Sequence, residues 1–597
     1  MRTRPLFLKE SRYGLAWFAL AACVACAGTR SAFAIDTPVP EAGLPDPAFG
    51  VAAPVLDSLP VPESYIPADN PIGAILLSKR HPLLSRADFS RVSEFVSQIY
   101  QGSNFQPIWF TANRSEKNLQ DLVGILHNAA ADGLNPANYD SERVEEWANA
   151  SNFDGNTVAS YDVALTVSLV RFLHELRQGQ VEPRDMQYQV HLAPKPPLKI
   201  GDLLKQHLAS QTLAELVGQF EPKAKQYRQL KLLLNRLRQL ARQGDSAEFK
   251  PNKSLRPGDR HPQVTVLRER LLALGLLAGN AGADDSTYSD EVVAAVKQVQ
   301  QQQGLKADGV IGPATAALFN HAPVEKIDQI ALAMERARWI PDPSDGPMIL
   351  VNIPAFELWA FNSPDDQNPL TMKVIVGKAP DKQTPLLWEE MKYLEFMPYW
   401  NIPTTIFRKE ILPKAADNEG YLASQDIELI RHQNSDEKGG GSYIRARQRP
   451  GKKNPLGRVK FVFPNTADVY LHDTPGRAAF NRTRRDLSHG CVRVSEPEQL
   501  AEFVLGDQQG WDRESIKQAM SAPKTRHVTL KRAVPVLFYY GTTFVDHQNQ
   551  LRFYPDVYGQ DEQLRKALQK LQEPAVMGAV SGNQLAASKV SATVGNP

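Results

Sequence analysis

The chain has 597 residues, of which 42% are hydrophobic and 22% are charged. This composition excludes a wholly disordered chain, and the length is enough for about four domains. The net charge is only +2, which argues against a nucleic-acid partner held by bulk charge. We therefore expect a multidomain globular protein.

Residues 1–34 have the pattern of a signal peptide. A basic start precedes an apolar run over 14–27, and Ala32 to Ala34 form a small-residue cleavage pattern. Two alternatives stay open: lipidation of Cys23 within a segment that resembles a lipoprotein box, and an uncleaved anchor. All three predict export to the periplasm or cell envelope, and the last two add membrane attachment through the N-terminus.

A proline-rich linker over 35–71 precedes a region with helical spacing. Apolar residues three and four apart at 90–100, 118–131 and 161–176 predict helices, so we expect a helical scaffold domain over 72–254. No pattern in this region is typical of catalysis. Its last helix, over 223–242, is basic and amphipathic, which fits either a solvated scaffold face or contact with an anionic lipid or wall polymer.

Residues 255–321 are predicted to form a small separate domain of three helices. Helical spacing runs over 264–277 and 290–303, and a turn over 308–313 leads into the third helix. Pro313 lies where that helix should begin, because the fixed φ angle of proline suits the first helical turn.

The region 322–574 changes to a β pattern after one leading helix. Short apolar runs at 348–354, 357–361 and 371–377, separated by Gly, Pro and Asp, predict strands and favour a β-sandwich.

Residues 404–457 interrupt this β pattern, because they are charged and partly helical. We predict a cap inserted over the active site, in which Gly439 to Gly441 act either as hinges or as a plain loop tip. The small-residue tail 575–597 is expected to be disordered.

Cys491 is the cysteine that a processed chain would keep, because Cys23 and Cys26 lie in the export segment. A leftover cysteine in an exported protein is either a buried small hydrophobe or a reactive thiol. A thiol needs a base or a positive neighbour to ionise near neutral pH. His472, upstream at a predicted strand end, could supply that base.

His472 followed by Ser488-His489-Gly490-Cys491 closely resembles the active-site motif of the L,D-transpeptidases, cysteine enzymes that cross-link bacterial peptidoglycan. The 255–321 domain resembles the peptidoglycan-binding domain of cell-wall enzymes, and the helical region resembles the scaffold of long L,D-transpeptidases. The resemblance implies a multidomain α+β fold: a helical scaffold, a small three-helix peptidoglycan-binding domain, and a β-sandwich-like catalytic domain with an inserted cap.

In this interpretation Cys491 is the nucleophile and His472 the general base. The imidazole needs an acceptor that fixes its tautomer. The family uses a backbone carbonyl, here that of Asp473, although the Asp473 side chain is an alternative. His489 is closer to Cys491 in sequence, but the motif implies that it has a supporting role.

The oxyanion needs hydrogen-bond donors aimed at it. The candidates are the backbone N–H groups of Gly490 and Cys491 and the phenol of Tyr470, for which cross-strand packing is the alternative role. Ser488 is expected to hydrogen-bond a nearby backbone group or a ring nitrogen. Arg493 either pairs with a substrate carboxylate or braces the loop, and Arg484 and Arg485 are weaker candidates of the same kind.

The resemblance implies that peptidoglycan stem peptides and glycan are the partners, and that the reaction is formation of 3→3 cross-links with release of a terminal D-alanine. A cysteine peptidase or carboxypeptidase of wall peptides and a non-enzymatic peptidoglycan-binding scaffold are the alternatives. Apart from the pair Cys23 and Cys26 in the predicted export segment, the sequence contains no CxxC, and it has no HExxH or glycine-rich nucleotide motif, so we expect neither a metal nor a cofactor.

Overall fold

The computed structural model describes residues 66–150, 155–186, 190–192, 195–196, 199–242, 249–277, 286–302, 305–320, 323–343, 345–433, 442–506, 508–546 and 550–571. The predicted signal peptide, most of the proline-rich linker, the proposed hinge at 439–441 and the tail lie outside these residues. The chain divides between Tyr65 and Ile66 into two units, and all described residues belong to the second.

The scaffold consists of helices packed around a long central helix. Its helices are α1 (Pro71–Ser78), α2 (Ser93–Gly102), α3 (Glu116–His127), α4 (Ser141–Asn149), α5 (Gly155–Gln178), α6 (Ile200–Ser210), α7 (Leu213–Phe220) and α8 (Lys225–Arg242). Because α5 is apolar on most faces, it is buried along most of its length and forms the centre of the core. The helices predicted at 90–100, 118–131 and 161–176 are confirmed as α2, α3 and α5.

The basic helix α8 places its apolar face in the scaffold core. Tyr227, Leu230 and Leu234 are fully buried. On the same helix, the Lys231 ammonium lies 2.7 Å from a carboxylate oxygen of Asp132. This packing supports a structural role for α8, and contact with a lipid or wall polymer stays a prediction.

The small domain contains α9 (Gln263–Ala273), α10 (Asp290–Gln302) and α11 (Pro313–Asn320). These helices surround an apolar core of their own, to which Val264, Leu267 and Val292 contribute. The helix α11 begins at Pro313, as predicted from the fixed φ of proline. Its described helices therefore agree with those expected from the spacing.

Residues 322–574, called the catalytic region below after the prediction made for them, begin with α12 (Pro323–Trp339), while β1 (Val190–His191) comes from the scaffold region. The other strands are β2 (Met348–Asn352), β3 (Glu357–Phe361), β4 (Leu370–Gly377), β5 (Leu386–Phe396), β6 (Trp400–Asn401), β7 (Ile427–Gln433), β8 (Ser442–Gln448), β9 (Val459–Val462), β10 (Leu471–His472), β11 (Asp486–Ser488), β12 (Val492–Val494), β13 (Arg526–Tyr539), β14 (Thr543–Val545) and β15 (Leu551–Phe553).

The main sheet of the catalytic region closes on itself. Its strand order is β1-β5-β13-β2-β3-β4-β12-β10-β9, and β9 pairs again with β5, while β11 is attached to β4. Inward-facing side chains such as Val351, Leu394 and Phe461 fill the interior. The β-rich prediction is confirmed. The pairing gives a closed mixed sheet rather than two stacked sheets, so the sandwich description is not confirmed.

The described parts of residues 404–457, called the inserted segment below, form a helical part and a pair of antiparallel strands. The helices are α13 (Thr404–Ile406), a π-helical stretch (Phe407–Ile411), α14 (Leu412–Asp417) and α15 (Tyr421–Ser424); the strands are β7 and β8, with β6 alongside β8. Ile402, Ile411 and Ala446 form a small separate core. The description of these residues as an inserted cap stays a prediction.

The remaining helices are α16 (Pro497–Leu505), α17 (Arg513–Ala519) and α18 (Gln560–Lys570). Two buried arginines of α12 connect the catalytic region to its neighbours. Arg336 donates to Asp561 of α18 at 2.5 Å, and Arg338 donates to Glu335 at 3.0 Å and to the carbonyl of Asp132 in the scaffold. These bonds fix α12 against both the scaffold and α18.

Candidate active site

The candidate site lies on the outer face of the sheet where β9, β10 and β12 run side by side. Leu471 pairs with Phe461 on one side and Val492 on the other, and all three side chains point into the core. Successive side chains of a strand point to opposite faces. His472 and its cross-strand partners Lys460 and Arg493 therefore share the outer face.

The tautomer of His472 is fixed by one short hydrogen bond. Its Nδ1 lies 2.6 Å from the backbone carbonyl oxygen of Asp473. Because a carbonyl can only accept, Nδ1 carries the hydrogen and Nε2 keeps the lone pair. The Asp473 carboxylate instead accepts the backbone N–H of Arg458 at 2.9 Å. Of the two acceptors considered from the sequence, the backbone carbonyl of Asp473, and not its carboxylate, accepts the hydrogen bond from the His472 ring.

The surroundings of His472 strongly favour the neutral ring. Burial, and then the positive charges of Arg493 and Lys460, lower the pKa of His472 to about 3. The imidazole is therefore uncharged at neutral pH and can accept a proton at Nε2.

Cys491 is half-buried and is a free thiol. Burial raises the pKa of the thiol above its ordinary value, although hydrogen bonds from the main chain and phenol of Tyr470 act in the opposite direction. Burial and the neighbouring thiol also raise the pKa of Tyr470, so its phenol stays a donor. The thiol and the imidazole of the resting site are thus both neutral, and the thiol points its hydrogen at the Asp468 carbonyl oxygen, 3.9 Å from the sulfur.

The loop before Cys491 is held by a small set of hydrogen bonds. Gly490 has a φ angle of +126°, which favours glycine because a side chain would be strained there. Its N–H donates to Ser488 Oγ at 3.2 Å, and that hydroxyl donates to the Cys491 carbonyl at 2.5 Å. Thr384 Oγ1 donates to the Gly490 carbonyl at 2.7 Å. Ser488 therefore has the bracing position expected of it.

These bonds bear on the predicted oxyanion donors. The Gly490 N–H is already used by Ser488, so it would have to exchange that acceptor for an oxyanion. The Cys491 N–H, by contrast, has no hydrogen-bond partner among the described residues. Of the two backbone donors expected from the sequence, the Cys491 N–H is the one that the resting loop leaves available.

His489 is bound by a residue that the sequence did not single out. Its Nε2 lies 2.6 Å from Glu410 Oε1, and Lys382 Nζ lies 3.3 Å from the same carboxylate oxygen. Glu410 belongs to the π-helical stretch of the inserted segment, and such stretches are frequent at functional sites. His489 therefore contacts the inserted segment, whereas His472 has the orientation suited to a base.

The three arginines considered from the sequence differ in their partners. Arg485 donates to the carbonyls of Val374 and Phe356, and Arg484 forms a bidentate pair with Asp486. Arg493 is half-buried, and its Nε is buried without a hydrogen-bond partner in the described part of the chain. Of the three, only Arg493 is left with an unused buried donor on the site face.

Among the residues that the structure describes, no group of three or more His, Cys, Asp or Glu side chains could hold a metal ion. In the same residues, no helix is both long and apolar enough to cross a membrane.

Comparison with protein families assigns domains to this arrangement. Residues 94–234 match a scaffold domain, residues 260–318 match a family described as "Putative peptidoglycan binding domain", and residues 346–534 match the L,D-transpeptidase catalytic domain. The last match includes His472 and Cys491. The chain thus joins a catalytic domain of the L,D-transpeptidase family to a domain of a peptidoglycan-binding family, in a multidomain arrangement.

Two curated proteins are similar in sequence to parts of this chain. A protein of Haemophilus influenzae named "Putative L,D-transpeptidase" is 32% identical over 251 residues, which are 40% of this chain and 49% of the relative. The alignment therefore spans about half the length of that relative. An N-acetylmuramoyl-L-alanine amidase of Bacillus licheniformis is 44% identical over 61 residues, 10% of this chain and 17% of the relative.

A solved structure of a fused Zn-dependent amidase/peptidase/peptidoglycan-binding protein from Clostridium acetobutylicum is 14% identical to this chain. It covers 49% of this chain and 100% of its own, with a TM-score of 0.13. At that score the similarity carries no structural conclusion.

Proposed function

We propose that the protein is an L,D-transpeptidase that forms 3→3 peptidoglycan cross-links through a thioester on Cys491. The observation that supports this most is the hydrogen bond from His472 Nδ1 to the Asp473 carbonyl. It leaves Nε2 as the acceptor on the face where Tyr470 contacts the thiol. A fixed acceptor near a neutral thiol is the arrangement that nucleophilic catalysis by cysteine needs.

In the first half-reaction the Cys491 thiol gives its proton to His472 Nε2. In the same step the sulfur attacks the carbonyl of the bond between the third residue of a donor tetrapeptide stem and its terminal D-alanine. The tetrahedral intermediate collapses to a thioester, and the imidazolium returns the proton to the departing D-alanine amine. The neutral resting state makes this a proton transfer during attack rather than the use of a preformed thiolate.

The acyl group is resolved in the second half-reaction. The side-chain amine of another stem's third residue attacks the thioester carbon, gives a proton to His472 and forms the new amide, while the thiol is restored. The oxyanion of each tetrahedral intermediate would accept hydrogen bonds from the Cys491 N–H and the Tyr470 phenol. The Gly490 N–H could join after leaving Ser488.

Arg493 is proposed to bind a carboxylate of the stem peptide. Its buried Nε has no partner among the described residues, and burial lowers its pKa without removing its charge at neutral pH. A carboxylate could accept from the planar guanidinium through two parallel hydrogen bonds. Bracing of the loop, the alternative from the sequence, is already supplied by Ser488 and Thr384.

The domain arrangement fits an enzyme that works on a polymer outside the cytoplasm. Binding of the wall through the small domain would raise the effective concentration of stems near Cys491. We propose domain bounds of 72–254, 255–321 and 322–574, with 404–457 as a cap. Export to the periplasm or cell envelope, with cleavage, lipidation at Cys23 or an uncleaved anchor, also stays a proposal.

The test is mass spectrometry of the purified protein incubated with disaccharide-tetrapeptide fragments, beside Cys491→Ala. We expect loss of D-alanine and a 3→3 dimer with the native protein, and neither with the variant. Trimmed monomers without dimer would show a cysteine peptidase that uses water as the acceptor. Dimer formation by Cys491→Ala would refute the thioester route, and binding without any reaction in either protein would favour the wall-binding scaffold.

A further inference from the structure

Lys460 lies next to the catalytic pair, although its sequence context gave no reason to select it. In the antiparallel β9–β10 pair it is directly opposite His472. Directly opposed residues have Cβ atoms about 5 Å apart. Since their neighbours Phe461 and Leu471 fill the core, both side chains point to the outer face.

The ammonium of Lys460 is held over the ring of Tyr470. Its Nζ lies 4.1 Å from the ring centroid, well within the range of a cation–π contact. The Tyr470 ring in turn stands edge-on to His472, with 5.7 Å between the ring centroids. One cation thus contacts the aromatic side chain that lies beside the Cys491 sulfur.

The counter-charge of Lys460 is close but not tightly bound. Glu395 Oε2 of the neighbouring strand β5 is 4.0 Å from Nζ, and the two side chains are only 16% and 20% exposed. The second oxygen of Glu395 lies 3.5 Å from His527 Nδ1. Glu395 therefore neutralises the charge of Lys460 only in part, and the low exposure of both side chains limits how far water screens that charge from the site.

The charged and titratable groups around the sulfur come from several elements. Lys460 acts from β9 and Glu395 from β5, His472 and Arg493 from β10 and β12, and Asp468 from the loop before β10; His527 on β13 lies behind Glu395. Among them, Lys460 is the cation that also makes a direct contact with the ring of Tyr470, which lies beside the thiol.

We propose that Lys460 is a positioning residue of the transfer reaction: its ammonium holds the Tyr470 ring against Cys491 and stabilises the thiolate that forms during attack. Glu395 moderates this charge. The proposal rests on the proposed function, because it assigns a role within that reaction. As the sulfur loses its proton to His472, a nearby positive charge lowers the energy of the developing anion.

The experiment measures the rate of alkylation of Cys491 by iodoacetamide as a function of pH. This readout needs no peptidoglycan, so a protein that failed to make cross-links could still show the effect. The variants are Lys460→Met, which keeps the length without the charge, Lys460→Arg, which keeps the charge, and Glu395→Gln, which removes the counter-charge. Lys531→Met, an exposed lysine on β13, is the matched control.

We expect Lys460→Met to displace the profile to higher pH and to slow alkylation at neutral pH by at least about threefold. Lys460→Arg should restore most of the rate, and Glu395→Gln should change it in the opposite direction, to faster alkylation. The control should match the native protein. Superimposable profiles for folded Lys460→Met and native protein, or a change of the same sign in Lys460→Met and Glu395→Gln, would overturn the proposal.

Discussion

Thr384 is a buried residue whose hydroxyl connects the loop before Cys491 to strand β4 of the main sheet. Its Oγ1 accepts the Gly377 N–H at 2.8 Å and donates to the Gly490 carbonyl at 2.7 Å. Tyr558 reinforces the same place, because its phenol donates to the Gly377 carbonyl at 2.6 Å and accepts the Thr384 N–H at 3.2 Å. The conformation of Gly490, and with it the position of Cys491, therefore depends on this hydroxyl.

Replacement of Thr384 by valine keeps the shape and removes both bonds. The Gly377 N–H and the Gly490 carbonyl are then left in a buried place without these partners. Each buried unsatisfied group costs about 1 to 3 kcal/mol, so the loop should lose about 2 to 6 kcal/mol of local stability. Since 1.4 kcal/mol corresponds to a factor of ten, local opening should become at least about 25-fold more frequent.

Hydrogen–deuterium exchange of a peptide covering 485–495 measures that opening directly. Thr384→Ser is the matched control, because it keeps the hydroxyl and loses only a methyl group. We expect fast exchange in Thr384→Val and near-native exchange in Thr384→Ser. Equal exchange in both variants would refute the view that the hydroxyl, rather than packing, holds the loop.

Two further predictions concern the inserted segment and acid stability. Glu410→Gln should loosen the helical part of that segment, because it weakens the exposed pair with His489. Hydrogen–deuterium exchange of a peptide covering 404–417 should become about two- to fivefold faster, while the control Glu419→Gln should exchange like the native protein. Native exchange rates in Glu410→Gln would contradict this prediction. Burial lowers the pKa of His81 and of His174 to about 4. Between pH 6.5 and 4 the unfolded chain therefore binds more protons than the folded chain, and the melting temperature should fall as the pH drops through that range. The fall should be shallower in His174→Phe, which keeps the ring contact with Phe95; an identical fall would contradict the assignment.

Elements with a local periodic signal could be predicted from the sequence. The strand expected at 357–361 coincides with β3, and the helix expected after Pro313 is α11. Both segments are short, mostly apolar runs, and prolines lie at the start of α11 and three residues from either end of β3. His472 and Cys491 could also be selected from the sequence as candidate site residues, because a histidine at a strand end and a Ser-His-Gly-Cys segment lie within about twenty residues of each other.

Features that depend on contacts far apart in sequence could not be predicted. The closure of the sheet requires β9 to pair with β5, and β1 reaches the catalytic sheet from the scaffold region. Glu410 and Lys460 are ordinary charged residues in their own segments, and only the folded chain brings them to His489 and Tyr470. Cross-strand partners follow from register, which neither segment specifies alone.

The charges around His472 suggest how substrate binding would change the base. In the resting site the positive charge of Arg493 is the second contribution, after burial, that lowers the pKa of His472. If Arg493 binds a stem carboxylate as proposed, that anion compensates its charge and raises the proton affinity of Nε2. The imidazole would then become a stronger base at the moment when an acyl donor is in place. A site that keeps both thiol and imidazole neutral until that moment needs no preformed thiolate, which agrees with the raised pKa of Cys491.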